Sequence, residues 1–321
     1  MINSDSTIDW LLQGDPSVRW QVHSDLLDSD KTIVAKERQK IATEGWGAKL
    51  LELQDEAGTW AKGLYTPKWT STTYTLLLLR RLGLDPDNKQ AQQGCNILLE
   101  EGFSKDGGIN YWRRYGDQSE TCVTSLTLSV LSYFNIKDQR LTEIAKHLLG
   151  AQMDDGGWNC RRPYGATHSS FHTTLMVLEA FREYLRKFDD PRTEILKARD
   201  SGIEFLLQHK LYKSHRTGRI VKPQMTQFCF PPMWKYDVMT VLDYLRSENI
   251  SKDVRMQDAI DLVISKRKKD GTWHLPTPIP GRTFFSLETT GKPSRMNTMR
   301  GLRILRWWKA EKSPGSWHAS G

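Results

Sequence analysis

The chain has 321 residues and 46 Lys and Arg against 38 Asp and Glu, a net charge of +8. That length supports a core without covalent staples, and 38% hydrophobic with 26% charged residues is a soluble globular composition. No stretch approaches the ~20 apolar residues of a membrane span, and the basic residues form no stripe on any helix. This excludes an integral membrane protein and leaves nucleic acid an unexpected partner.

The N-terminus, MINSDSTIDW, lacks the basic-then-apolar layout of a secretory signal, so a cytoplasmic protein is expected. Apolar helices are predicted at 16–27, 68–83, 119–135, 168–186, 233–247 and 294–309, where apolar residues recur at three- and four-residue spacing. Polar-faced amphipathic stretches such as RLTEIAKHLLGAQM and ARDSGIEFLLQHKL lie between them. Related turns link the two kinds: LQDEAGTW, FSKDGGINYW, AQMDDGGWNC and SKRKKDGTW. Their aspartates, Asp55, Asp106, Asp155 and Asp270, are 51, 49 and 115 residues apart. The last gap is about two periods, and LLQHKLYKSHRTGRI at 206–220 fills the missing turn in degenerate form.

A helical hairpin of this kind cannot bury its apolar face alone, so repeats must stack. Inner helices that are apolar almost all round point to a closed ring about a central cavity, an all-α (α/α)6 toroid forming one domain over 1–321. Trp60, Trp158 and Trp273 recur with the turn, which assigns them to packing between repeats. Cys95 and Cys229 are expected as small core residues, and with four scattered cysteines the thiols should be reduced. The Pro-rich stretch LPTPIPGRTFF at 275–285 is a long loop expected to form a lid or rim.

The turns QMDDGGW, KDGGINYW and KKDGTW resemble the repeats of the terpenoid cyclase and protein prenyltransferase superfamily, from about residue 45 to 310. The resemblance implies an apolar cavity at the N-termini of the inner helices and an isoprenoid or other hydrophobic substrate. It leaves the reaction open, since one fold hosts several chemistries. There is no DxDD motif of the class II cyclases; Glu120 in SETC resembles the acid of the oxidosqualene cyclases' Asp-Cys-Thr-Ala variant. Glu120-Thr121-Cys122 also resembles the Asp-x-Cys zinc ligands of prenyltransferase β subunits, and Phe171-His172-Thr173 their Tyr-His-Thr segment. Arg114 resembles a diphosphate-contacting arginine, although Asp117 and Val123 depart from that platform.

A zinc site of Cys122, His172 and either Glu120 or Cys160 is therefore the leading expectation, with His168 as ligand or supporting base. Glu120, Asp237 and His168 are the candidate acid–base groups. Arg113 and Arg114, with Arg161, Arg162, Arg282 and Arg295, are candidates for a cationic rim facing an anionic head group. Trp69, Trp112, Phe171, Trp234 and Tyr236 are candidates for the apolar lining. Asn297 is expected to cap the sixth inner helix.

The function expected first is a zinc-dependent, prenyltransferase-like enzyme acting on a hydrophobic small molecule without a separate α subunit. Two alternatives stand beside it. One is a metal-free cyclase with Glu120 as proton donor, and the other a non-enzymatic toroid that binds a peptide or lipid.

Overall fold

The computed structural model describes residues 4–112, 116 and 118–310. Thirteen α-helices make up the described chain: α1 (Ser4–Leu12), α2 (Pro16–Asp25), α3 (Lys31–Gln39), α4 (Gly45–Glu52), α5 (Thr72–Leu82), α6 (Lys89–Gly102), α7 (Thr121–Tyr133), α8 (Arg140–Gly150), α9 (Phe171–Leu185), α10 (Arg192–Gln208), α11 (Val238–Ser247), α12 (Gln257–Ser265) and α13 (Arg295–Lys309). Two short antiparallel strands, β1 (Trp273–His274) and β2 (Pro293–Ser294), bracket the Pro-rich loop. Among the described residues no helix is long and apolar enough to cross a membrane.

The six predicted apolar helices appear as α2, α5, α7, α9, α11 and α13. Each touches the next around a ring. Trp20 Nε1 donates to Leu82 O at 2.8 Å between α2 and α5, and Arg182 donates to Ser247 Oγ at 2.9 Å between α9 and α11. Helices α5, α7 and α9 pack in succession, as do α11 and α13. Arg303 closes the ring from α13 to Gln21 and Asp25 of α2, both at 2.8 Å. Helix α11 starts at Val238, later than the periodicity suggests, because the Asp237 carboxylate accepts from Thr240 N (2.8 Å) and fixes the helix start. Helix α7 is buried almost all round, and two of its serine hydroxyls bond back within the helix, Ser125 to Cys122 O and Ser129 to Leu126 O.

The turns carry a repeated staple. Trp60, Trp158 and Trp273 are almost fully buried, and each indole N–H donates to a carbonyl ten residues upstream: Leu50, Leu148 and Val263, at 2.7–2.8 Å. Their backbone N–H groups donate to Thr72, Thr174 and Thr298 on the following inner helices, at 3.0–3.1 Å. The aspartate of each turn holds the loop shut; Asp106 accepts from Ser119 N and Oγ, and Asp155 from Ser169 N and Oγ. Each ring also lies against a glycine on a neighbouring helix. A Cβ on Gly94 or Gly202 would stand 2.8 Å from the Trp60 or Trp158 ring, closer than side-chain carbons approach.

The lumen corrects the expectation of one apolar central cavity. The segment 228–233 enters the ring, and Asn297 pins it by donating to Phe228 O at 2.6 Å. Asn297 is thus a loop anchor rather than a cap; Ser294 caps α13 through Asn297 N at 3.0 Å. Above this plug a small apolar space of ≈ 100 Å³ lies under the Pro-rich loop, lined by Trp69, Leu78, Phe230, Ile279 and Phe284 among others. The loop is held down by Trp69 N to Arg282 O (2.7 Å) and Arg282 N to Lys68 O (3.0 Å). Below the plug the lumen is charged, with Arg80 bonded to Glu179 and Glu183 at 3.0 and 3.2 Å. Cys95 is buried as expected, whereas Cys229 is half-buried on the wall of the small apolar space.

Candidate functional site

The starts of α7 and α9 build a second, larger cavity of ≈ 670 Å³. Glu120 is the N-cap residue of α7, yet its carboxylate makes no cap hydrogen bond. An acid at that position ordinarily turns back onto the first helical N–H groups. Here it faces the cavity instead, and Cys122 Sγ lies 3.7 Å from its Oε2. The turn before α9 brings Cys160 to the same wall, where its N–H donates to Thr173 Oγ1 at 3.4 Å. Leu126, Phe171, Met176, Met225 and Trp234 supply apolar walls.

The two thiols share a proton unequally. Donation from Cys122 holds Cys160 down at about 6, working against burial and with help from Thr173. The same bond pushes Cys122 well above the usual thiol range, and burial adds to this. Of the two thiols, Cys160 is the one that loses its proton more readily, and Cys122 keeps its own.

His172 also lines the cavity, but its chemistry is committed elsewhere. Its Nδ1 accepts from Tyr236 N at 2.8 Å, so the ring proton sits on Nε2, and the ring packs edge-on to Trp234 at 5.4 Å. Burial, then Lys222 and Lys235, depress the imidazole to about 4. Among the described residues no three His, Cys, Asp or Glu side chains converge as a metal would require. The expected zinc site of Glu120, Cys122, Cys160 and His172 is corrected on this ground: the four share a cavity, but the His172 lone pair is spent on the backbone of the segment leading into α11. The donor set does not fit zinc.

Other expected residues fall in several places. His168 precedes α9 on an exposed turn, where its carbonyl accepts from Asn159, so it does not share a helical face with His172. Asp237 is buried and spent on capping α11; burial raises its carboxyl, against the pull of Arg300. It lines no cavity with Glu120. Tyr236 is buried with its hydroxyl on Leu211 O at 2.5 Å. Phe171 and Trp234 do line the cavity, Trp69 lines the small apolar space, and Trp112 packs edge-on against Tyr65 at 5.0 Å.

Arg113 and Arg114 lie outside the described residues. Of the other rim arginines only Arg161 borders the cavity; Arg162 donates to Gly150 O, and Arg295 bonds Trp10 O and stacks on its ring. Beside Arg161, the cavity is bordered by Lys68 and Lys222, which belong to none of the repeat turns. Lys68 Nζ stands 5.4–5.8 Å from the rings of Tyr65, Trp69 and Trp234, and the cluster of aromatics around 65–74 was the one available signal.

No family model and no curated protein matches the chain. Among solved structures, a protein from Actinoplanes is similar at 16% identity, covering 95% of this chain and 99% of that one, with a TM-score of 0.47. The type II terpene cyclase MstE from Scytonema is similar at 16% identity over 94% and 96% of the two chains, with a TM-score of 0.45. A variant of it in complex with its substrate, geranylgeranyl dihydroxybenzoate, gives 16%, 94% of each chain and 0.43. Likeness at this level carries no statement about reaction.

Proposed function

We propose that the chain is an enzyme acting on an isoprenoid or other hydrophobic small molecule, with Glu120 donating the proton that starts a metal-free reaction. The observation that carries this reading is the Glu120 carboxyl, free of its helix cap and turned into a cavity of ≈ 670 Å³ with largely apolar walls. Protonating an alkene needs an acid held against the double bond and walls that tolerate the positive charge formed on carbon. Phe171 and Trp234 offer aromatic surface for that charge, and Leu126, Met176 and Met225 exclude water. The Cys122 thiol beside Glu120 orients the carboxyl. The cations at the border, Lys68, Arg161 and Lys222, suit a substrate whose apolar chain ends in an anionic group.

The test is turnover of a panel of polyprenyl compounds, with and without a carboxylate end. Glu120→Gln keeps the shape and removes the proton, so turnover should fall about 10²–10⁴-fold while helical content is unchanged. A chelator should leave the wild-type rate as it was. Full activity of Glu120→Gln, or a rate that needs added zinc, would sink the proposal.

A further inference from the structure

We infer that the lower half of the ring, below the 228–233 plug, is a binding site for a small phosphate-bearing anion. The inference is independent of the Glu120 reading, because the two cavities share no lining residue. The space is ≈ 370 Å³, room for about ten waters or a small polyanion. Eight arginines face it against four carboxylates.

Those carboxylates are already taken. Glu179 serves Arg80 and Arg81 at 3.0 and 3.1 Å, and Glu183 serves Arg80, Arg182 and Arg186 at 2.8–3.2 Å. Asp25 and Asp243 are each shared by Arg246 and Arg303. Arg300 is left over. It is 4% exposed, and its partners are neutral: Thr240 Oγ1 at 2.8 Å and Asn297 Oδ1 at 3.4 Å. Among the described residues no carboxylate reaches ion-pair distance of it. Two further donors on the same walls are buried without a partner, Arg80 Nε and the Tyr244 hydroxyl. Asp237 acts on Arg300 only from beyond ion-pair distance, and burial opposes its charge. A buried guanidinium with no carboxylate in contact and donors lacking acceptors are costly, and an anion in this space relieves both.

Helix ends explain part of the positive charge but not this part. Inner-helix carboxyl ends attract cations, and Arg38 on Gly83 O (2.7 Å) and Arg306 on Asp25 O (3.0 Å) are of that kind. Arg300 sits in the first half of α13, where the helix dipole gives a cation nothing. The planar forks of several arginines around one space match the oxygens of phosphate better than a single carboxylate.

Calorimetric titration of the full chain with inorganic phosphate and with diphosphate, at ionic strength held constant with chloride, tests this. Saturable binding at one site per chain is expected, with diphosphate the tighter. Arg300→Gln should weaken it about tenfold or more, while Arg216→Gln, on an exposed turn, should leave it unchanged. If Arg300→Gln does not fold, Arg186→Gln at the half-exposed mouth takes its place and should weaken binding several-fold. No saturable heat with the wild-type chain, equal affinity in Arg300→Gln or in its substitute, or an equal response to citrate would overturn the assignment.

Discussion

Acidification should unfold this protein partly through His172. The imidazole lies at about 4 in the folded chain and near 6.5 when unfolded. Between these values the unfolded chain binds more protons, so stability rises with pH across the window and is lost as pH falls from 6.5 toward 4. A protonated ring also loses its role as acceptor for Tyr236 N, whose 2.8 Å bond ties α9 to the segment entering α11. At 1.36 kcal/mol per unit the full depression corresponds to about 3 kcal/mol. His172 sits at a cavity wall with some solvent access, and screening reduces this to about 2 kcal/mol. The assay is urea unfolding of wild type and His172→Asn at pH 7 and pH 4.5. Asn keeps an acceptor and cannot titrate, so groups common to both chains cancel in the difference. Wild type should lose about 2 kcal/mol more than the variant between the two pH values. Parallel losses would refute both the buried neutral imidazole and the argument that its Nδ1 is unavailable to a metal.

The cavity thiols and the turn staples give two further outcomes. Alkylation of Cys160 by iodoacetamide, followed site by site by mass spectrometry, should have its midpoint near pH 6 and move up toward 9 in Cys122→Ala; a wild-type midpoint already near 9 would remove the Cys122 donor from the account. Gly202→Ala should destabilise the chain by about 1–3 kcal/mol, because its Cβ would meet a Trp158 ring at 2.8 Å that the Leu148 carbonyl holds in place. Gly150→Ala, with nothing within 4 Å, is the matched control, and equal unfolding midpoints for the two would count against the staple.

The ring of helices was legible because its signals are local. Three- and four-residue spacing placed α7, α9 and α13 within a few residues, and the recurring turn tryptophans identified the packing between repeats. The cavity wall was legible in part: Glu120, Cys122, Cys160, Phe171, His172 and Trp234 do share one space. What the pattern missed depends on contacts distant in sequence. The role of His172 is decided by Tyr236 N, 64 positions away, and a one-repeat offset between Cys122 and His172 says nothing of where a ring nitrogen points. The plug has no local signal, because Asn297 reads as a helix cap until Phe228 O is placed beside it. The charged lower lumen did leave a trace. Glu179, Arg182, Glu183 and Arg186 fall at helical spacing on one side of α9, a stripe obscured by the apolar residues that precede it.

The way the ring is joined bears on the order in which it forms. Each indole-to-carbonyl staple closes a loop of ten residues, so the link between a turn and its outer helix costs little chain entropy. The junction of α13 with α2 is the opposite case, since Arg303 meets Asp25 across 278 positions. Joining these ends gathers the greatest loop-closure entropy in the molecule, and ion pairs carry much of the seam. A chain still open there is a curved array with two raw edges, each shaped to receive the other's counterpart. At high concentration such edges from two chains can meet first, which makes this seam the place where exchange between molecules competes with closure.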